Sequence, residues 1–437
     1  MVKFLQLTNT SISRVILSIT LLIVSNFPIK LLAEFTVNDN INFYGNNHID
    51  TYQSIDENAN QAVDLRLDNR FMTAYTTNHF KSEFHLLTSV SNYVQNNFTI
   101  PVNLPIEGDK TNLFRLTRTD NFNNSSMVNR IDRINFTYYD NNLEATIGRT
   151  ALTWSRGRTF HVTDFFNPQN PGFYDGDYKI GTDMAYVNWA VSDNSYFSVV
   201  ANPKRNSCLL NPNHSNSCDG DVTMKDSTFA SRYIYSNAWG DVSIIIGQYL
   251  EDYALGGGFS YGLWGGTVLR TDVSFWSPEY DRQDYQSMAM VGLEKGLSVF
   301  SRNVTLFGEY YHNDFGTKSP KNENLTLNPT MQRRVLEMDT YLIGKNYISL
   351  GALVEISSYW DFNYSNIINT DDGSMFNFVS LSYEATDAIS LSVTIGQSLG
   401  DTGDDFGDIC IADPTNTGEN TCYQMETIFM LGLSITL

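Results

Sequence analysis

The chain has 437 residues and a formal net charge of −20, with 42% hydrophobic, 17% charged and 13% aromatic residues. Charge of that sign excludes a nucleic-acid binder, and so many aromatics exclude a disordered chain. Charged residues are scarcer than the roughly one quarter usual in soluble domains, yet no apolar run of about 18 or more residues follows the N-terminus, which excludes a helical membrane protein.

The chain opens on a secretory signal. Lys3 and Arg14 precede the apolar run Val15 to Val24, which is too short to span comfortably and ends at Ser25-Asn26-Phe27-Pro28. Cleavage is expected after Ala33, so residues 1–33 are the signal and 34–437 form one domain.

From Phe35 onward the pattern is two-residue alternation, the period of a strand with two unlike faces. Val63, Leu65 and Leu67 alternate with Asp64, Arg66 and Asp68, and Ile389, Leu391, Val393 and Ile395 alternate with Ser390, Ser392, Thr394 and Gly396. About 18 strands are expected, with 16 as the alternative. They fall near 36–45, 62–75, 79–91, 129–140, 143–154, 182–191, 195–202, 228–237, 240–250, 253–263, 266–276, 286–295, 303–312, 332–344, 346–358, 374–384, 387–398 and 426–437. Short turns at 140–142, 192–194, 264–266, 344–346 and 385–387 alternate with long polar connections at 46–61, 92–128, 203–227, 313–331, 359–373 and 399–425. Only the connection at Glu251-Asp252 is short where a long one is due. Alternating short and long connections are the rhythm of a transmembrane antiparallel β-barrel, with turns on the periplasmic side and loops outside.

Between the fifth and sixth strands the alternation stops. Residues 147–184 read IGRTALTWSRGRTFHVTDFFNPQNPGFYDGDYKIGTDM, with Arg149, Arg156, Arg158, two Asn-Pro steps, Trp154, His161, Asp164, Asp175 and Asp177. So many turn formers together with Trp, Phe and Arg suit a segment, 148–181, that folds inward, packs on the barrel wall and narrows the lumen. Beyond it, four cysteines form two sequence-local pairs, Cys208 with Cys218 and Cys410 with Cys422. In an exported chain these are expected to be disulfides within their own external loops. Asp401, Asp404, Asp405 and Asp408 lack the spacing of a calcium loop and read as a solvated acidic loop, so no metal or cofactor is expected.

The final strand, Met425 to Leu437, carries an aromatic residue and regularly spaced Leu and Ile, and resembles the closing strand of Gram-negative outer-membrane barrels, although its last residue is Leu437 in place of the usual aromatic. The inner segment resembles a signature of porin-type barrels through Gly148-Arg149, Trp154, Gly157, Asp164 and Pro168, with Trp154-Ser155 standing where Trp-Gly is common. The resemblance implies a porin in the outer membrane, in contact with lipid and lipopolysaccharide.

With the apolar side turned to lipid, where mid-membrane charge costs about 2–4 kcal/mol for Arg or Lys, the polar side of the early strands offers Arg66, Arg70 and Arg133. Arg149 joins them if Gly148 marks a bulge. Later strands offer Asp272, Glu294, Glu309, Glu337, Asp339 and Glu355, so a basic wall faces an acidic one. No enzymatic step is expected, since the six histidines bring no arguable nucleophile. The sequence supports a channel for passive diffusion of small hydrophilic solutes, selecting by pore constriction and lumen charge. An outer-membrane enzyme or surface adhesin is the alternative. A homotrimer is compatible with apolar outer faces, which suit lipid or a neighbour equally.

Overall fold

The computed structural model describes residues 35–38, 41–55, 61–94, 111–122, 125–166, 179–205, 220–278, 284–318, 331, 334, 340, 342–401, 404–412, 420–424 and 427–436. The expected signal and residue pairs such as Cys208 and Cys218 lie outside them. The first strands are β1 (Phe35–Asn38), β2 (Ile41–Ile55), β3 (Gln61–Thr76), β4 (Phe80–Val94), β5 (Thr117–Phe122), β6 (Ser125–Asp140) and β7 (Leu143–Thr150). There follow β8 (Thr182–Ser192), β9 (Ser195–Asn202), β10 (Thr228–Asn237), β11 (Gly240–Tyr249), β12 (Asp252–Gly262), β13 (Thr267–Ser277), β14 (Gln286–Val299) and β15 (Arg302–Asn313). The last are β16 (Asn346–Ser357), β17 (Trp360–Asn369), β18 (Met375–Thr386), β19 (Ile389–Leu399), β20 (Asp408–Ala412), β21 (Asn420–Gln424) and β22 (Thr427–Thr436).

Eighteen of these close into one antiparallel ring: β2 to β4, β6 to β19, and β22, which pairs with β19 on one side and returns to β2 on the other. Closure gives each of the eighteen ring strands a partner on both sides. β1 prolongs the seam by pairing with Ile41 to Phe43 of β2, beyond the point where β22 ends opposite Asn46. β5 pairs with Ser125 to Arg130 of β6, where β7 no longer reaches.

The ring has the two faces that alternation demands. Outward-facing Ile244, Leu255, Phe275 and Val291 are about half exposed or more, whereas inward-facing Ser243, Asp272, Ser274 and Met290 are almost completely covered. Eight connections of two to four residues lie at one end, the rim that also holds the start of β2 and the end of β22. At the other end the connections are mostly long. The shortest is Leu250-Glu251, a two-residue turn in which both residues have positive φ, 48° and 77°. That is the twist a tight hairpin needs, and Leu250 is drawn into the lumen core with Trp154 and Tyr249. No helix among the described residues is long and apolar enough to cross a membrane, which says nothing about strands.

Three expected elements need correction. A wall strand was expected at 332–344, but β15 pairs directly with β16, Arg334 is helical, and Thr340 and Leu342 to Gly344 lie in no strand; the rest of that stretch is outside the described residues. The strand is instead β17, in a stretch expected to be a loop. Its inward side, Asp361, Asn363 and Ser365, is polar enough to hide the alternation of Trp360, Phe362 and Tyr364. Asn46 to Ile55 was likewise expected in a loop but pairs with both β22 and β3.

Candidate functional site

The segment after β7 leaves the wall at Ala151 and packs against the inner face of β10 to β16. Trp154, Phe160, Val162, Phe165 and Phe166 are each under 5% exposed. Trp154 meets Phe166 edge-on at 5.0 Å, Phe165 meets Trp276 edge-on at 5.0 Å, and Phe160 stacks on Tyr311 at 5.0 Å. Full burial of such side chains contributes about 1.5–3 kcal/mol each, enough to hold a segment that has no regular hydrogen-bond ladder.

Its polar groups are matched to the acidic wall. Ser155 Oγ and the Arg156 N–H both donate to Asp272 Oδ2 at 2.7 Å. Arg156 Nη1 donates to Ser243 at 2.9 Å and to Asp272 Oδ1 at 3.3 Å, and its Nε to Asp241 Oδ1 at 2.8 Å. Arg158 pairs with Glu294, which also receives Arg270 at 2.9 Å. Glu309 accepts the backbone N–H groups of Arg158, Thr159 and Phe160 at 2.6, 2.9 and 3.1 Å. The chain can turn tightly enough for this only because residue 157 is glycine: a Cβ there would sit 2.0 Å from the Phe160 carbonyl oxygen.

Farther along, Asp164 is ion-paired with Lys179, which also donates to the Leu152 carbonyl at 2.7 Å. Burial holds the Lys179 ammonium below its usual range against the pull of Asp164. Burial likewise lowers His161, again opposed by Asp164, so the imidazole is neutral at pH 7. Asp175 and Asp177 lie outside the described residues.

The expected basic wall has a different character. Arg149 is 1% exposed and is no lining residue. Its Nε and Nη2 donate to Asp183 Oδ1 and Oδ2 at 2.8 and 3.0 Å. The pair clamps one passing residue: Phe114 N–H donates to Asp183 Oδ2 at 2.8 Å, and Arg149 Nη2 donates to the Phe114 carbonyl at 2.5 Å. Both ladders run through Gly148 without the expected bulge, and Gly148 instead has φ +123°, where a Cβ would lie 2.2 Å from the Ile134 oxygen. The bulge lies on β6 at Asp132, between the partners of His85 and Leu86. It buries Arg133, which donates to Asp132 Oδ2 at 3.0 Å and to the Lys179 carbonyl. Arg70 is half-buried on β3. Arg66 lies on the same strand opposite Asp50 and Ser91.

On the acidic side Asp272, Glu294 and Glu309 meet the loop. Glu355, exposed near the short-turn rim, takes the Asn303 amide at 2.5 Å. Glu337 and Asp339 lie outside the described residues. Cys410 stands directly opposite Cys422 in the β20–β21 ladder.

Several participants escaped sequence reading: Asp132, Asp183, Arg232, Asp241, Arg270 and Lys179. Each sits in an unremarkable polar position of an alternating strand or beside a turn, and only the closed ring gives it a partner. Also passed over was Gly258-Phe259-Ser260-Tyr261-Gly262, which spells a nucleophile-elbow pattern. It runs inside β12, paired with β11 and β13, and has none of the strand-turn-helix geometry that exposes such a serine.

No family model and no curated protein matches the sequence. Solved structures do match in fold. A BenF-like porin from Pseudomonas fluorescens Pf-5 superposes with a TM-score of 0.51 at 8% identity, covering 91% of this chain and 98% of that one. The fold is that of a porin-like outer-membrane barrel. Acinetobacter baumannii OccAB1 gives 0.50 at 9% identity over 91% and 96% of the two chains. Escherichia coli Wzi, described as a carbohydrate-binding outer-membrane barrel, gives 0.50 at 8% over 90% and 84%.

Proposed function

We propose that the protein is an outer-membrane channel for passive diffusion of small hydrophilic solutes, reached by export through its signal segment, with no chemical step. The observation that carries this reading is the docked segment 151–166. It occupies one side of the ring, held by Asp272, Glu294 and Glu309, and leaves beside it a cavity of about 420 Å³ lined by Thr153, Trp154, Arg156, Arg232, Asp241 and Arg270, among others. A loop fixed in that way narrows a lumen without filling it, and a narrow polar passage selects by width and by lining charge. Its charges are largely paired across the loop, so the transverse field between the two walls is weaker than bare rows of opposite sign would give.

The test is reconstitution of the full mature chain in planar bilayers and liposomes. Stepwise, ohmic conductance and swelling in small sugars are expected. A heat-modifiable, correctly folded barrel that passes neither ions nor sugars overturns the channel reading in favour of a closed surface barrel.

A further inference from the structure

The cavity beside the inner loop has a composition of its own. Its floor is one cross-strand row: Ser236 of β10 opposite Asp241 of β11, Asp241 opposite Ser260 of β12, and Ser260 opposite Arg270 of β13. Four neighbouring strands thus present a hydroxyl, a carboxylate, a hydroxyl and a guanidinium at the spacing of directly opposed side chains, about 5 Å. Arg232 and Ile234 stand on β10 two rungs apart on the same face, with Tyr196 opposite Ile234 on β9 and the loop residues Thr153 to Arg156 completing the lining.

The guanidiniums around this cavity are not equivalent. Arg156 is committed to Asp241 and Asp272, and Arg270 to Glu294. Arg232 has no ion pair among the described residues. Its guanidinium carbon lies 5.5 Å from the centroid of the Trp154 ring, and its buried Nε has no hydrogen-bond partner. A half-buried guanidinium that stacks on a ring, feels Asp241 and Asp272 without pairing to either, and has an unbonded Nε is held where a planar oxyanion is the natural complement, since the fork matches a carboxylate. The hydroxyls and Asp241 on the floor suit a ligand that carries hydroxyl groups of its own.

We infer that this cavity is a binding station for a small polyhydroxylated carboxylate, an aldonic or uronic acid, with Arg232 taking the carboxylate and Ser236, Asp241 and Ser260 taking the hydroxyls. The inference rests on the channel reading only for the idea that the ligand is in transit; binding itself does not require a pore. About 420 Å³ accommodates a six-carbon sugar acid with some of its water.

The experiment uses the full mature barrel with gluconate as probe, and glucose and acetate as controls. Intrinsic tryptophan fluorescence is titrated in detergent, where Trp154 reports beside Arg232, and current block is read in bilayers at fixed KCl. Saturable quenching by gluconate is expected, with glucose and acetate each much weaker. Arg232→Gln should raise the half-saturating gluconate concentration about tenfold, the worth of one charge-assisted hydrogen bond in a covered site. Arg232→Lys, which keeps the charge and loses the fork, should fall between. Heat-modifiable mobility shows that each variant is folded. Gluconate quenching in a barrel that carries no current keeps the station and removes the channel. A conducting barrel with no saturable gluconate effect overturns the station and leaves the channel. Equal affinity for acetate overturns the hydroxyl contacts, and an unchanged gluconate affinity in folded Arg232→Gln overturns the role of Arg232.

Discussion

The inner faces of two parts of the ring differ in kind. On β11 to β16 the inward residues are Asp241, Asp272, Glu294, Glu309, Tyr311, Tyr347 and Ser349, and most are covered by the docked loop. Along the half of β18 and β19 nearer the short turns they include Ser380, Ser382, Ser390 and Thr394, small and uncharged, with Thr394 Oγ1 donating to Ser380 Oγ at 2.9 Å, while Phe376 and Phe378 share that face nearer the other end and Glu384 stands at the rim. Asp272, Glu294 and Glu309 mark the places where backbone or arginine from the loop arrives, whereas Glu355, at the rim, takes an amide of the neighbouring strand. Small hydroxyls line the other stretch of wall. The charged side serves the loop before it serves a solute.

The largest effect should follow from removing the loop itself. Deletion of Trp154 to Tyr178 is expected to raise single-channel conductance several-fold, because the narrowest section dominates a series resistance. Unchanged conductance in a folded deletion variant would dissolve the contrast between the two walls. Next comes Glu309→Ala, which strands three buried N–H groups on Arg158, Thr159 and Phe160. Each orphaned group costs about 1–3 kcal/mol. The loop should undock, conductance should become noisy and rise, and denaturant unfolding should start earlier. Ser380→Ala on the opposite wall should alter none of these.

The fold was legible from the sequence because alternation is a property of consecutive residues, and 16 of the 18 wall strands lie where it points, with β2 caught only over Ile41 to Gly45. It failed at β17, where Asn363, Ser365 and Asn366 imitate a loop, and at 332–344, where a chance alternation imitates a strand. The site was legible only in part. Trp154, Arg156, Arg158 and Asp164 stand out in a segment that breaks the period. That Asp272 and Glu309 serve as its anchors follows from strands more than 100 residues away in the chain, and no local pattern carries such pairing. Arg149 shows the limit from the other side: it was conspicuous, but its buried carboxylate partner places it in the wall's framework.

A smaller effect concerns charge selectivity. Arg158 is about a third exposed and shares Glu294 with Arg270. Arg158→Gln should leave Glu294 less neutralised and shift the reversal potential in a KCl gradient toward K⁺. Neutralising Glu355, which lies near the rim away from the loop, should move it less. The reverse order would mean that the bridged pairs contribute nothing at the constriction.

A second loop gives the comparison a dependence on pH. Residues 404–407 also reach the inner wall: Phe406 packs on Tyr347 and Phe376, and Asp405 accepts the Tyr347 hydroxyl. Burial, with the nearby Asp372 carboxylate, pushes Asp405 up to about 7 against the hydrogen bond from Tyr347. A carboxyl raised on docking favours the docked state fully below its ordinary value near 4. That contribution declines as pH rises from about 4 to 7 and is gone above. Docking of this loop should therefore be firmest in acid, and Asp405→Asn should remove the slope while holding the loop at pH 8. Proteolytic nicking within 400–407, followed from pH 4 to 8, measures it. A rate that is flat with pH in the unmodified protein would show that Asp405 does not control docking.

The smallest effect is expected at the cysteines. The β20–β21 ladder sets Cys410 opposite Cys422, and directly opposed residues in an antiparallel pair have Cα atoms about 4.5–5.5 Å apart, within the span a disulfide bridges. The bond would close a ring of about a dozen residues, worth about 2–3 kcal/mol in the chain-entropy model. That stabilisation belongs to a two-stranded hairpin that shares no ladder with the ring. Non-reducing peptide mapping should find Cys410 joined to Cys422 and Cys208 to Cys218. Reduction should leave barrel unfolding and conductance unchanged while raising protease sensitivity within 408–424. If reduction instead opened the channel, the hairpin would have to be counted with the docked loops, and its bond would carry more than local stability.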